Sequence, residues 1–145
     1  MAEKKEKQKI YKDLIVHPER RKTSELVRHT DDSPGTRYVA LDKKILSEST
    51  VYQAVRIIKD LKVKPPEYVK SHSHTVDSTY IFLGDNEDLS GLKAEVVLGD
   101  ETYVIDSPAS IFVPKRLNHS VKLIGGSGLF INTVLNGDYN EATYW

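Results

Sequence analysis

The stretch His72-Ser73-His74-Thr75-Val76-Asp77-Ser78-Thr79-Tyr80-Ile81-Phe82-Leu83-Gly84 joins a pair of histidines two residues apart to a run of strand-forming side chains. On an extended chain, residues i and i+2 project from one face, about 6–7 Å apart, so two imidazoles are aimed at one point. Neutral imidazole is a ligand for zinc, iron, copper and nickel, and a third histidine on a facing strand completes a set of three nitrogens. His119, after the strand-like Ile111-Phe112-Val113, is the candidate for that third position. Alone, the His-x-His spacing also describes two histidines on an ordinary strand surface.

Outward from this stretch the pattern stays β. Tyr38 to Leu41, Val51 to Ile58, Ser78 to Leu83, Ala94 to Leu98, Thr102 to Ile105, Ser110 to Val113, Ser120 to Ile124 and Leu129 to Leu135 are short runs of β-branched and aromatic residues. Gly99-Asp100 between two of them marks a hairpin, because tight strand connections need positive φ. Short strands without alternating helices predict an all-β, antiparallel sandwich or barrel. Residues 19–29, ERRKTSELVRH, read as one short helix ahead of the turn Asp31-Asp32-Ser33-Pro34-Gly35.

Composition narrows the chemistry. At 145 residues the chain has the length of one domain. It has no cysteine, which excludes thiol catalysis, thiolate metal ligands, iron–sulfur clusters and disulfides. Lys plus Arg and Asp plus Glu both number 21, and this balance argues against an electrostatic nucleic-acid binder. Lys4, Lys5, Lys7, Lys9 and Lys12 give a basic start, expected to be solvated and without chemistry. No apolar run reaches the length of a membrane span and no signal-peptide pattern opens the chain, so a cytoplasmic protein with no membrane partner is expected. No Gly-x-Ser-x-Gly elbow accompanies the serines, and Gly125-Gly126-Ser127-Gly128 lies between strands rather than opening a helix, so hydrolase and phosphate-loop readings find no support.

The stretch His72 to Gly84 resembles the first motif of the cupin family, His-x-His, three or four residues, Glu, about six residues and Gly. Pro114-Lys115-Arg116-Leu117-Asn118-His119 resembles the second, Pro-x-Gly-x-x-His. The likeness covers about residues 50–137, with the Gly-Asp-Glu hairpin between the motifs. It implies a jelly-roll β-barrel of about residues 36–137, preceded by an N-terminal arm of about 1–35 and followed by a short tail, 138–145. It also implies that His72, His74 and His119 point inward as ligands of one divalent metal ion, iron before zinc, nickel, manganese or copper. The chain further resembles small bacterial single-domain cupins in an arginine on the strand before motif one, here Arg56, and an aspartate before the motif glutamate, here Asp77.

Departures from the pattern bear on function. Ser78 stands where the motif has its glutamate, Arg116 where it has glycine, and Leu123 where it often has asparagine. A serine hydroxyl is a poor ligand for a divalent ion, so the site either keeps three histidines and open positions or has lost its metal. Three-histidine cupins of similar arrangement include thiol and diketone-cleaving dioxygenases. The expectation is therefore a metal-dependent, dioxygenase-like oxidoreductase acting on a small organic molecule; a cupin isomerase or lyase, or a non-catalytic binding or sensing module, is the alternative. Glu95 faces either inward, as a fourth ligand or general base, or outward into solvent. Tyr80 and Phe82 share the face of Ser78 and form either an aromatic pocket wall or plain core. Arg56 meets either a substrate carboxylate or a structural acid. His17 and His29, without spacing partners, are expected to be solvent-exposed. A homodimer is expected, since jelly-roll cupins commonly pair through sheet edges.

Overall fold

A computed structural model of the chain describes residues 10–31 and 33–144; the lysines at 4, 5, 7 and 9 lie outside the described residues. Among the described residues, eight antiparallel strands form where β-branched and aromatic residues recur. They are β1 (Glu19–Arg20), β2 (Thr36–Leu41), β3 (Tyr52–Leu61), β4 (Ser78–Gly84), β5 (Leu92–Leu98), β6 (Glu101–Asp106), β7 (Ala109–Val113) and β8 (His119–Val134). They are ordered β1-β2-β3-β8-β4-β7, with β5 paired to both β6 and β8. This is the jelly-roll β architecture the sequence implies. No helix among the described residues is long and apolar enough to cross a membrane.

Strand β8 is the spine. Its first half pairs with β5, from Leu98↔His119 to Leu92↔Gly126. Its second half pairs with β3 on one side and β4 on the other, out to Tyr52↔Val134 and Ser78↔Val134. The sequence predicts two strands here, separated by a glycine loop; the structure has one bent strand. The reason is steric. A Cβ at Gly126 would lie 1.8 Å from the Gly91 carbonyl oxygen, and φ there is +85°. Glycine lets the backbones approach closely enough for the ladder to continue through the bend.

The predicted helix over 19–29 is absent. Glu19 and Arg20 pair with Val39 and Tyr38, Thr23–Glu25 make one 3-10 turn, and His29 bridges to Val69. Buried arginines and a buried Thr23 draw this segment onto the sheet, and tertiary contacts override a modest helical pattern. The predicted hairpin is present: Leu98 pairs with Glu101 across Gly99-Asp100, and Gly99 has φ of +64°.

Strict alternation places the interior. Along β4, Ser78, Tyr80 and Phe82 are buried, and along β3, Tyr52, Ala54, Arg56 and Ile58 are buried. One apolar cluster joins Ile58, Tyr80, Phe82, Val96, Leu123 and Phe130; a second joins Leu26, Val39, Tyr52, Val134, Tyr139 and Ala142. The histidines lie beside the aromatic side chains of both clusters, with His119 against Tyr80 and His74 against Tyr139.

Gly126→Ala should destabilise the fold by more than about 2 kcal/mol, since the new methyl group meets backbone that cannot yield. At Gly125 the nearest neighbour of an added Cβ is 3.8 Å away, so Gly125→Ala should cost less than about 1 kcal/mol. Urea denaturation of the two variants checks the contrast; equal losses would contradict the role assigned to the bend.

Candidate metal centre

Backbone pairing brings the three histidines together. The His72 and His119 backbones exchange hydrogen bonds, His72 N to His119 O at 3.1 Å and His119 N to His72 O at 2.8 Å, so their side chains leave one face as a cross-strand pair. His74 follows two residues on and bridges Thr143. The C-terminal segment runs alongside, with Thr75 N donating to Ala142 O at 2.7 Å and Tyr144 N to Ser73 O at 2.8 Å. The ring centroids of the three histidines are 4.7–4.9 Å apart. One ligand nitrogen from each lies within 4.8 Å of the others.

Each ring is oriented through Nδ1. His72 Nδ1 lies 2.7 Å from Lys70 O, and His119 Nδ1 lies 2.9 Å from Leu117 O. A carbonyl only accepts, so both Nδ1 atoms carry the proton and both Nε2 atoms keep a lone pair. His74 reaches the same state by a relay. Thr143 Oγ1 donates to Tyr139 O at 2.7 Å and so accepts from His74 Nδ1 at 3.0 Å. This is the outer support that fixes the tautomer of metal-binding histidines and raises their basicity.

Burial makes the cluster neutral. It pushes His74 down to about 3, with His119 and His72 adding repulsion, and His119 down to about 4. His72 is lowered by burial as well, against the opposing bond to Lys70. His119 Nε2 and the Ser78 hydroxyl are buried and have no hydrogen-bond partner among the described residues. Three converging, unprotonated imidazole nitrogens with one left unsatisfied fit a divalent transition metal. His72 Nε2 accepts from the Tyr139 hydroxyl at 2.9 Å, so a ligand at that nitrogen must displace the phenol.

The remaining predicted residues separate. Tyr80 is buried 5.8 Å from the His119 ring, centroid to centroid, and burial holds its hydroxyl protonated well above its ordinary range. Glu95 settles to the outside: it pairs across the ladder with Lys122 and Val104, on the face opposite Ala94 and Val96, and its carboxylate holds Lys64 Nζ at 2.9 Å. That corrects the inward option, since strand alternation carries it away from His119. Arg56 is buried, but its bonds go to Pro34 O at 2.9 Å and Thr23 Oγ1 at 2.8 Å, with no acid among the described residues. Asp77 turns away, accepting Lys115 N at 2.9 Å. Arg116 adopts φ of +71° and donates its N–H to His74 O at 2.8 Å, keeping the backbone shape for which the motif uses glycine.

The expectation for His29 is also corrected. It is half-buried with its ring 5.4 Å from His72 and 5.5 Å from Tyr139, and burial lowers it to about 3. Its Nδ1 is bound to Val27 O at 2.6 Å, and its Nε2 lies 3.5 Å from the Tyr139 hydroxyl. Tyr139, Thr143 and His29 belong to the site, and no motif spacing connects them to the other histidines. His17 is exposed, as expected.

These buried imidazoles set the sign of a pH dependence. In the unfolded chain they take up protons near pH 6.5, whereas in the fold they remain neutral to about 3–4. Stability is therefore full above about pH 7.5 and falls as pH drops below 6.5, by up to about 1.4 kcal/mol per pH unit for each such histidine. Urea midpoints measured from pH 8 to pH 5 should decline steadily below 6.5; a flat profile would contradict neutral burial.

No protein-family model matches the sequence, and no curated protein is significantly similar to it. Solved structures do resemble it. A protein from Planctomyces limnophilus superposes with a TM-score of 0.53 at 16% identity, covering 88% of this chain and 96% of its own. Oxalate decarboxylase from Bacillus subtilis gives 0.51 at 14% identity over 90% of this chain, which matches 32% of the decarboxylase. A cupin superfamily protein from Desulfitobacterium hafniense gives 0.49 at 14% identity over 71% of this chain and 80% of its own. With both motifs on their expected strands and loops, and the strands wound as a jelly roll, this chain has the cupin fold.

Proposed function

We propose that the chain is a metal-dependent cupin enzyme acting on a small organic molecule, with His72, His74 and His119 holding one divalent ion, iron by preference. One observation carries the proposal: three buried histidines are tied at Nδ1, and the unpartnered Nε2 of His119 lies among them. Such an ion supplies Lewis-acid polarisation of an oxygen or nitrogen donor, or presentation of a substrate to dioxygen. Oxygen-dependent oxidation is the favoured reaction class, supported by the likeness to three-histidine cupins.

The chain's own residues shape what is bound. Ser78 offers a neutral oxygen where the motif has a carboxylate, so nothing on β4 offsets the charge of the ion and an anionic donor is favoured there. Tyr80 and Phe82 extend the wall along the same face, with ring centroids 6.3 Å apart, and exclude water from it. Tyr80 keeps its proton and serves as a hydrogen-bond donor rather than a base. Tyr139 presents a second phenol beside His72, in reach of a molecule bound at the histidines.

Metal analysis of wild-type protein and a His72→Ala, His74→Ala, His119→Ala variant tests this reading. Near-stoichiometric metal in the wild type and none in the variant is expected, together with oxygen consumption by the iron-loaded protein on a panel of small carboxylates, diketones, thiols and phenols. Absence of metal after incubation with iron, zinc, nickel and manganese would overturn it. Stoichiometric metal without oxygen uptake would move the reaction to isomerase or lyase chemistry.

A further inference from the structure

Arg37 on β2 and Arg56 on β3 are direct cross-strand partners, and both are buried, at 6% and 7% exposure. Like charges set opposite each other in a ladder repel, and buried guanidinium groups ordinarily have an acid. Arg37 has one: Glu25 at 3.0 Å, supported by the Tyr52 hydroxyl at 2.6 Å. Arg21 is paired with Asp42 and shares Glu25. Among the described residues Arg56 is held by a carbonyl, the Thr23 hydroxyl and the face of Tyr68 at 5.9 Å. Glu25 is shared by Arg21, Arg37 and Lys44, and among the described residues no acid lies within ion-pair distance of Arg56.

The space around this charge is shaped for a ligand. An inner cavity of about 40 Å³ is lined by Arg37, Arg56 and Thr23, with Tyr68, Tyr80 and His29 on its other walls. An open cleft of about 550 Å³ is lined by the same two arginines and Thr23, with Arg20, Lys22 and the acid Asp31 beside them. The inner space admits a small planar headgroup and the cleft admits what is attached to it. Guanidinium groups match a carboxylate in two-pronged geometry.

We infer that the Arg37–Arg56 pair is a binding site for a small organic monocarboxylate, seated with its headgroup between the two guanidinium groups. Asp31 on the same cleft disfavours a second negative charge, so a monoanion fits better than a phosphate group, which brings about −1.5 to −2. The bonds of the two arginines involve none of His72, His74 and His119, so binding here is testable without metal, although the inner cavity shares Tyr80 and His29 with the histidine centre.

Thermal unfolding of the full chain, stripped of metal with a chelator and held at constant ionic strength, tests it with sodium propionate, sodium benzoate, sodium phosphate and sodium chloride. A saturable rise of at least about 5 °C with a monocarboxylate, and a smaller one with phosphate or chloride, is expected. Arg56→Met should abolish the rise, and Glu25→Gln, which removes the competing acid, should tighten carboxylate binding about tenfold by calorimetry. If Arg56→Met fails to fold, the Glu25→Gln arm decides. No saturable rise in the wild type, an undiminished rise in Arg56→Met, unchanged affinity in Glu25→Gln, or equal binding of phosphate would each overturn the assignment. Because the protein is metal-free throughout, a negative result here leaves the histidine reading standing, and failed metal binding leaves this one standing.

Discussion

Three imidazoles within one cluster are kept neutral by burial, and each points its Nδ1–H at a fixed acceptor that sets its tautomer. Lys70 O, Leu117 O and the Thr143 hydroxyl perform that task for His72, His119 and His74. The consequence is electronic as well as structural: all three lone pairs sit on Nε2, with that of His72 taken by the Tyr139 hydroxyl and that of His119 without a partner among the described residues. Buried polar atoms without partners are costly, and His119 Nε2 is such an atom. The site is assembled by the fold in a form that a cation would satisfy.

Much of the fold exists to hold that arrangement. Strand β8 starts at His119, bends at Gly126 and then separates β3 from β4, so the same strand carries a ligand candidate and the core behind it. The C-terminal segment closes the other side, with Thr143 under His74 and Tyr139 against both His72 and His29. Tyr139 also belongs to the second apolar cluster, which ties the site to Tyr52 and Val39. Loss of packing in that cluster would therefore reach the histidines through one ring.

The central parts were legible in the sequence for a geometric reason. Alternation in a strand has a period of two, so His72 with His74, and Ser78 with Tyr80 and Phe82, share faces by spacing alone; His119 was added by the second motif. The helix over 19–29, the exposed His29 and the inward option for Glu95 failed because each depends on contacts distant in the chain. Val69 draws in His29, the sheet captures Glu19 and Arg20, and the register with β8 turns Glu95 outward. Tyr139 and Thr143 carry no spacing signal at all, since they reach the site from the opposite end of the chain. Arg116 is a different case: the departure from glycine was visible, but only the structure shows that the left-handed turn survives it.

Nitrogen-15 NMR of the histidine side chains addresses the central claim most directly, because it reports which ring nitrogen carries the proton. At pH 7.5 the account predicts Nδ1–H tautomers for His72, His74 and His119, and one equivalent of zinc should shift all three Nε2 resonances together. Protonated Nε2 atoms before addition, or resonances unmoved by zinc, would contradict a preformed three-nitrogen centre.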